Sequence, residues 1–169
     1  MKFWFTADCH FGHNNIIKYC NRPFPDLFSM RETLVRNWRD TVGEDDTVFH
    51  LGDFSFMNKQ DTDELVKLLP GRIIFLKGNH EGHPKTITES MIIRREGHSI
   101  MLTHYPERAT PLMTTFCGHI HEKWNMQYHI DEQGRKGFPI VNVGVDVWGF
   151  KPVEFETLMK FIRKNSDQK

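Results

Sequence analysis

The sequence predicts a layered α/β domain whose sheet is mixed rather than purely parallel. Three observations carry that reading. Apolar β-rich runs alternate with helical patterns in the first half of the chain. Strands follow one another in series in the second half. Strand after strand ends in a small cluster of Asp, Asn, Gly or His. In α/β folds, ligands bind at the carboxyl ends of strands, where loops converge.

The elements follow in order. Residues 2–7 are an apolar β-rich run. A short helix is expected over 14–19, with Asn14 or Asn15 as its cap. The prolines at 23 and 25 mark a turn. Ser29, with Glu32 three residues on, has the spacing of a capping box, and its helix carries Leu34, Val35 and Trp38 on one face as far as about Val42. Residues 47–51 form a second buried strand that ends at Gly52-Asp53. A helix is expected over 61–69, closed by Pro70-Gly71, and a third strand over 72–76 ends at Gly78-Asn79-His80. Shorter β segments are expected near 91–95, 98–103, 115–118, 126–131 and 139–143, and 153–164 is a closing helix or a strand followed by a helix.

With 169 residues, 38% hydrophobic and 26% charged, the chain reads as one globular domain over residues 1–169. No run approaches the roughly 20 apolar residues of a membrane span, and the N-terminus reaches Asp8 too early for a secretory signal. A cytoplasmic location is expected. Cys9, Cys20 and Cys117 form no Cys-x-x-Cys pair, which argues against a disulfide framework and a thiolate zinc site, and Cys9 reads as a small apolar filler. The 22 basic and 22 acidic residues balance, so the broad basic footprint of a nucleic-acid binder is missing. The basic residues around Arg22, Arg31, Arg36 and Arg39 read as a solvated helix face.

Ten histidines stand out, because of where they fall. Five clusters carry the chemistry: Asp8-Cys9-His10, Gly52-Asp53, Gly78-Asn79-His80-Glu81, His104, and Gly118-His119-Ile120-His121. Asp8 and His10 are two apart, as are His119 and His121, so in an extended segment each pair points to one side. A lone strand His is more often a hydrogen-bonded core residue, and Asp in a Gly-Asp turn is usually turn chemistry. Several such groups at successive strand ends are not independent coincidences. The donors are carboxylate, imidazole and amide, suited to borderline and harder divalent ions. Seven of them are too many for one tetrahedral ion, whereas two metals sharing a carboxylate would use them all.

The ordered set Asp-x-His, Gly-Asp, Gly-Asn-His-Glu, His, Gly-His-x-His, running from residue 8 to residue 121, resembles the calcineurin-like metallophosphoesterase family. The stretches 11–17 and 142–146 also resemble its compact bacterial and phage-type branch. The resemblance implies a four-layer α/β/β/α sandwich with two mixed sheets. It implies that Asp8, His10 and His121 hold the first metal, that Asp53 bridges to the second, and that Asn79, His104 and His119 complete the ligands of the second metal. His80 would stand beside the metals as general acid, with a metal-bridging hydroxide as nucleophile. The cofactors would be two divalent ions, manganese foremost, with iron, magnesium, nickel and zinc also accepting these ligands.

The expected activity is hydrolysis of phosphodiesters, or of phosphomonoesters, on a small phosphoester or nucleotide-type substrate. Asp53 is followed by Phe54-Ser55-Phe56-Met57 rather than the Asp-Arg-Gly-containing motif of protein serine/threonine phosphatases, which counts against that substrate class. No cap domain is expected, leaving substrate choice to short loops. His13 is a candidate contact for substrate phosphate, or else packs the first helix. Arg22 is a candidate phosphate clamp, set against a surface role beside Pro23. His50 reads as a core histidine or a partner of a ligand, and His83, His98 and His129 as ordinary. Trp4, Phe54, Phe56, Tyr105 and Trp124 are candidates to stack a nucleobase, with core packing the simpler account. Two alternatives remain: a non-catalytic metal-binding interaction scaffold on the same fold, and a nuclease, which zero net charge disfavours. Oligomeric state is not legible.

Overall fold

The computed structural model describes residues 1–80 and 86–166. Strand β1 (Phe3–Thr6) is followed by α1 (Asn14–Tyr19) and α2 (Leu27–Arg39), then β2 (Thr47–His50), α3 (Lys59–Lys67) and β3 (Arg72–Leu76). Next come β4 (Thr86–Thr88), β5 (Ser90–Arg95), β6 (His98–Thr103), β7 (Thr114–Cys117), β8 (Met126–Ile130) and β9 (Lys136–Asn142). The two-residue β10 (Val153–Glu154) runs directly into α4 (Phe155–Ser166).

The strands form two five-stranded sheets, ordered β10-β1-β2-β3-β4 and β5-β6-β7-β9-β8. Each is mixed. In the first, β1 to β4 are parallel and β10 is antiparallel to β1. In the second, the parallel run β6-β7-β9 is flanked by antiparallel β5 and β8. With the four helices the result is an α/β/β/α sandwich.

Period-two alternation in β1, β2 and β3 builds two cores at once. Phe5, Phe49 and Leu76 face the second sheet, where they meet Ile100, Leu102, Phe116 and Val141 together with the Phe155–Leu158–Ile162 face of α4. Trp4, Val48 and Phe75 point the other way, onto Ile16 of α1, Met30, Leu34 and Trp38 of α2 and Leu65 of α3. Phe5 stacks on Phe49 (5.3 Å, 12°) and meets Phe116 edge-on (4.9 Å), so aromatic contacts cross the sheet interface.

Local details differ from the sequence expectations for identifiable reasons. The cap of α2 is Asp26, whose carboxylate accepts the Ser29 N–H at 2.7 Å; Ser29 is therefore already inside the first turn. That helix ends at Arg39, and Val42 belongs to the turn that closes it, donating to Trp38 O. Helix α3 starts earlier than expected because Asn58 caps it, accepting from Asp61 N at 2.9 Å. Helix α1 begins at Asn14 with His13 at the cap position and no side-chain cap bond, so neither Asn14 nor Asn15 caps it. Strand β4, three residues long, carries no periodic signal of its own and was not anticipated. No helix among the described residues is long and apolar enough to cross a membrane.

Candidate metal centre

The clusters foreseen from the sequence sit where strands of both sheets end. Asp8 and His10 follow β1, Asp53 follows β2, Asn79 and His80 follow β3, His104 follows β6, and His119 and His121 follow β7. The local backbone is not extended, contrary to the expectation for the two His-containing pairs. Asp8, His10, Asp53, His119 and His121 have φ of 58°, 52°, 58°, 72° and 50°. They are five of the eight non-glycine residues with left-handed φ among those described, each costing on the order of 1 kcal/mol. Short backbone bonds hold these bends, among them Asp8 N to Gly52 O (3.1 Å), His10 N to Asp53 O (3.0 Å) and Gly118 N to His104 O (3.1 Å). Two glycines are required by close approach. A Cβ at Gly78 would collide with the Asp53 carboxylate, and one at Gly118 would lie 2.6 Å from Asp8 Oδ2.

The side chains converge. Donor atoms of Asp8, His10 and His121 lie within 4.8 Å of one another, as do those of Asp8, Asp53 and His104. Asp53 Oδ2 is central, 3.5 Å from His10 Nε2 and 3.7 Å from His104 Nε2. Asn79 Oδ1 lies 2.9 Å from His104 Nε2 and 3.0 Å from His119 Nδ1. Glu81 and His83 fall outside the described residues.

Two observations test whether this arrangement fits cations. His104 Nδ1 lies 2.8 Å from Leu51 O, a carbonyl that only accepts, so the proton sits on Nδ1. Its Nε2 lone pair then faces Asn79 Oδ1 at 2.9 Å and Asp53 Oδ2 at 3.7 Å. His10 Nε2 is buried with no hydrogen-bond partner. Electron-rich atoms gathered in this way, beside two carboxylates that are 0% and 2% exposed, are what divalent ions resolve. The residues therefore make up two overlapping clusters capable of coordinating metal.

The electrostatics divide the donors. Burial holds the His10 imidazole neutral, down to about 2, and also lowers His104. Burial raises the Asp8 carboxyl to about 7, partly offset by His121 and reinforced by Asp53 and Asp146. His121 goes the other way. Burial opposes its charge, but hydrogen bonds to Asp146 and Cys20 and the charge of Asp8 outweigh that and raise it to about 10. Metal uptake must therefore displace a proton from His121 up to about pH 10, and a second from Asp8 below about pH 7. Affinity should rise about tenfold per pH unit above pH 7, and more steeply below it. Calorimetry in buffers of different protonation enthalpy counts the protons released; a pH-independent affinity would contradict this picture.

The cavity above the cluster has a volume of about 460 Å³ and is lined by His10, His13, Asp53, Asn79, His80, His119 and His121, with Ile16, Tyr19, Cys20 and Phe56 on one wall. His80 is exposed, and its backbone N–H donates to Asp53 Oδ1 at 2.9 Å. His13 stacks on Phe56 at 4.2 Å, with its Nδ1 3.2 Å from that of His10. Of the other aromatic candidates, Trp4 and Phe54 belong to the helix-side core, and Tyr105 packs edge-on against His104 and His119. His50 is fully buried, edge-on to Phe54.

Arg22 is a correction. It is not on the surface but 4% exposed, and its guanidinium reaches Asp146, Asp8 O, Cys9 O and Met30 Sδ. With its N–H groups engaged there, it has none to turn toward a phosphate. Sequence reasoning also passed over Asp146 and Asn142 as site residues. Asn142 Nδ2 donates to His121 O (2.6 Å) and Trp124 O (2.9 Å), which pins the loop carrying His121. Both stand in Asn-x-Gly-x-Asp at the end of β9, the same strand-end signal as the other clusters. Cys20, His121 and Asp146 also lie close enough to share an ion. Arg22 already neutralises Asp146, which makes that grouping unfavourable for a cation.

A two-sheet sandwich with Asp, His and Asn donors at one end of both sheets defines a metallophosphoesterase-type domain. The chain belongs to the calcineurin-like phosphoesterase superfamily, whose domain profile matches residues 1–154. It is 37% identical to the uncharacterized protein MJ1445 of Methanocaldococcus jannaschii, over 96% of this chain and 92% of that one. It is 27% identical to the Gene 66 protein of Mycobacterium phage L5, over 86% and 87%. Among solved structures it is similar to the protein of unknown function AQ665 from Aquifex aeolicus, with a TM-score of 0.71, 25% identity and coverage of 95% and 99%. These relatives form a compact branch. At TM-scores of 0.46 and 0.42, Vps29 from Entamoeba histolytica complexed with zinc and an archaeal phosphodiesterase are more distant.

Proposed function

We propose that the protein is a phosphoesterase dependent on two divalent metal ions, acting on small phosphodiesters or phosphomonoesters, nucleotide-type esters included. The observation that carries the reading is that Asp8, His10, Asn79, His104, His119 and His121 gather with Asp53 beneath a cavity whose lining includes the exposed His80.

Asp8, His10 and His121 would hold one ion, Asn79, His104 and His119 the other, with Asp53 shared. When bound, such a pair supplies charge to the phosphoryl oxygens and activates a water. The protein's own residues supply the rest. His80 is held by its backbone beside Asp53, leaving its ring free to donate a proton to a departing alkoxide. His13, stacked on Phe56, is in reach of a phosphate oxygen at the cavity wall. Diesters are favoured over monoesters because a proton donor at the rim matters most for a poor leaving group. The cavity volume suits a small ligand, and the balanced charge disfavours extended nucleic acid. Manganese is the first metal to try. Three unpaired cysteines agree with a reducing, cytoplasmic setting.

A second reading, a metal-loaded interaction scaffold without turnover, uses the same ligands. The test separates the two. Chelator-stripped protein and protein refilled with manganese are compared on an aryl phosphodiester and the matching monoester. Hydrolysis that appears only on refilling supports the enzyme, and the diester-to-monoester ratio narrows the substrate. Two bound ions with no hydrolysis of either ester favour the scaffold. No metal uptake sinks both.

A further inference from the structure

We propose that Arg22 and Asp146 are a positioning pair for the first metal: together they fix which nitrogen His121 offers and tie the loop of Asp8 to the loop of His121. The proposal rests on the metal-centre part of the reading above, and not on hydrolysis.

Asp146 Oδ2 lies 2.9 Å from His121 Nδ1. An ionised carboxylate only accepts, so Nδ1 carries the proton, and the lone pair available to the Asp8–His10 cluster is on Nε2. Asp146 is itself held in a fork, with Oδ1 accepting from Arg22 Nε at 2.8 Å and Oδ2 from Nη2 at 2.9 Å. The same guanidinium continues to the chain after β1, where Nη2 donates to Asp8 O at 2.7 Å and Nη1 to Cys9 O at 3.1 Å. The Arg22 side chain is 0% exposed and that of Asp146 3% exposed. One planar group thus fixes the backbone of one ligand, Asp8, and the ring orientation of another, His121, across loops far apart in sequence. Lysine would match the charge but not the fork, because its ammonium is a point donor.

The network is one-sided. Among the described residues, neither Arg22 nor Asp146 hydrogen-bonds to Asn79, His104 or His119, the donors on the other side of Asp53. A role in positioning therefore predicts damage to one metal site and not to both.

The experiment is calorimetric titration of manganese into chelator-stripped wild type, Asp146→Asn and Arg22→Lys, with electron paramagnetic resonance at two equivalents. In Asp146→Asn one of the two binding events should weaken by about 10- to 100-fold while the other keeps its affinity. The spectrum should change from a coupled pair to isolated ions. Arg22→Lys should produce the same split more mildly, and it serves as the test if Asp146→Asn does not fold. Equal weakening of both sites, or unchanged binding at both, overturns the proposal. Wild type that binds two ions without hydrolysing any ester would end the enzyme reading and leave this one standing.

Discussion

Replacing Asp53 by Asn is expected to abolish hydrolysis, by about 10³-fold or more, and to reduce metal content from two ions to at most one. The carboxylate stands between two imidazoles, 3.5 Å from His10 Nε2 and 3.7 Å from His104 Nε2, so in the proposed centre it would lend charge to both ions. Asn keeps the size and one acceptor oxygen but removes that charge. A loss of 10³-fold corresponds to about 4 kcal/mol of transition-state stabilisation, a reasonable size for losing one cation of a pair. The backbone should tolerate the change, because Asp53 has a φ of 58°, and Asn adopts the left-handed region more readily than most residues. Near-native circular dichroism with elemental analysis of bound metal separates loss of the centre from loss of the fold. A variant that keeps both ions and its rate would remove Asp53 from the bridging position.

The His80→Ala variant should show the opposite division, with metal content near that of the wild type and turnover lowered by about 10²- to 10⁴-fold. The contact of His80 with the centre that matters for metal binding is its backbone N–H to Asp53 Oδ1, and alanine retains it. Its ring faces the cavity, 5.1 Å from Phe56 and 6.1 Å from His10 between centroids, where a leaving group would depart. Leaving-group dependence makes the test specific. Esters of a nitrophenol leave without a proton and should lose little, whereas alkyl esters should lose most of their rate. Equal losses for both esters, or metal loss in step with activity loss, would count against His80 as the acid.

Much of the fold was legible because its signals are local. The β3 run from Arg72 to Leu76 and the β6 run from His98 to Thr103 match the sequence reading residue for residue. Their apolar residues stop abruptly at Gly, Asn or His. The strand-end clusters of Asp, Asn and His were legible for the same reason. Each sits at the end of a strand, and a strand end is visible in a dozen residues. Helix starts were read less well, because a cap depends on which nearby oxygen reaches a free N–H. At α2 that oxygen belongs to Asp26 rather than Ser29.

What the sequence by itself determined is the inventory: which residues carry donors, in what order, and at which strand ends. The tertiary structure decided how they meet. The bends at Asp8, His10, His119 and His121 run against the extended reading of those pairs, and they persist because backbone bonds between neighbouring loops hold them. Arg22 reads as a surface residue beside a proline in one dimension. In three it is buried, because Asp146, 124 positions away, supplies the opposite charge that burial of a guanidinium demands. Periodicity and turn chemistry are short-range properties of a chain. The pairing of buried charges across two sheets is set only when the sheets pack.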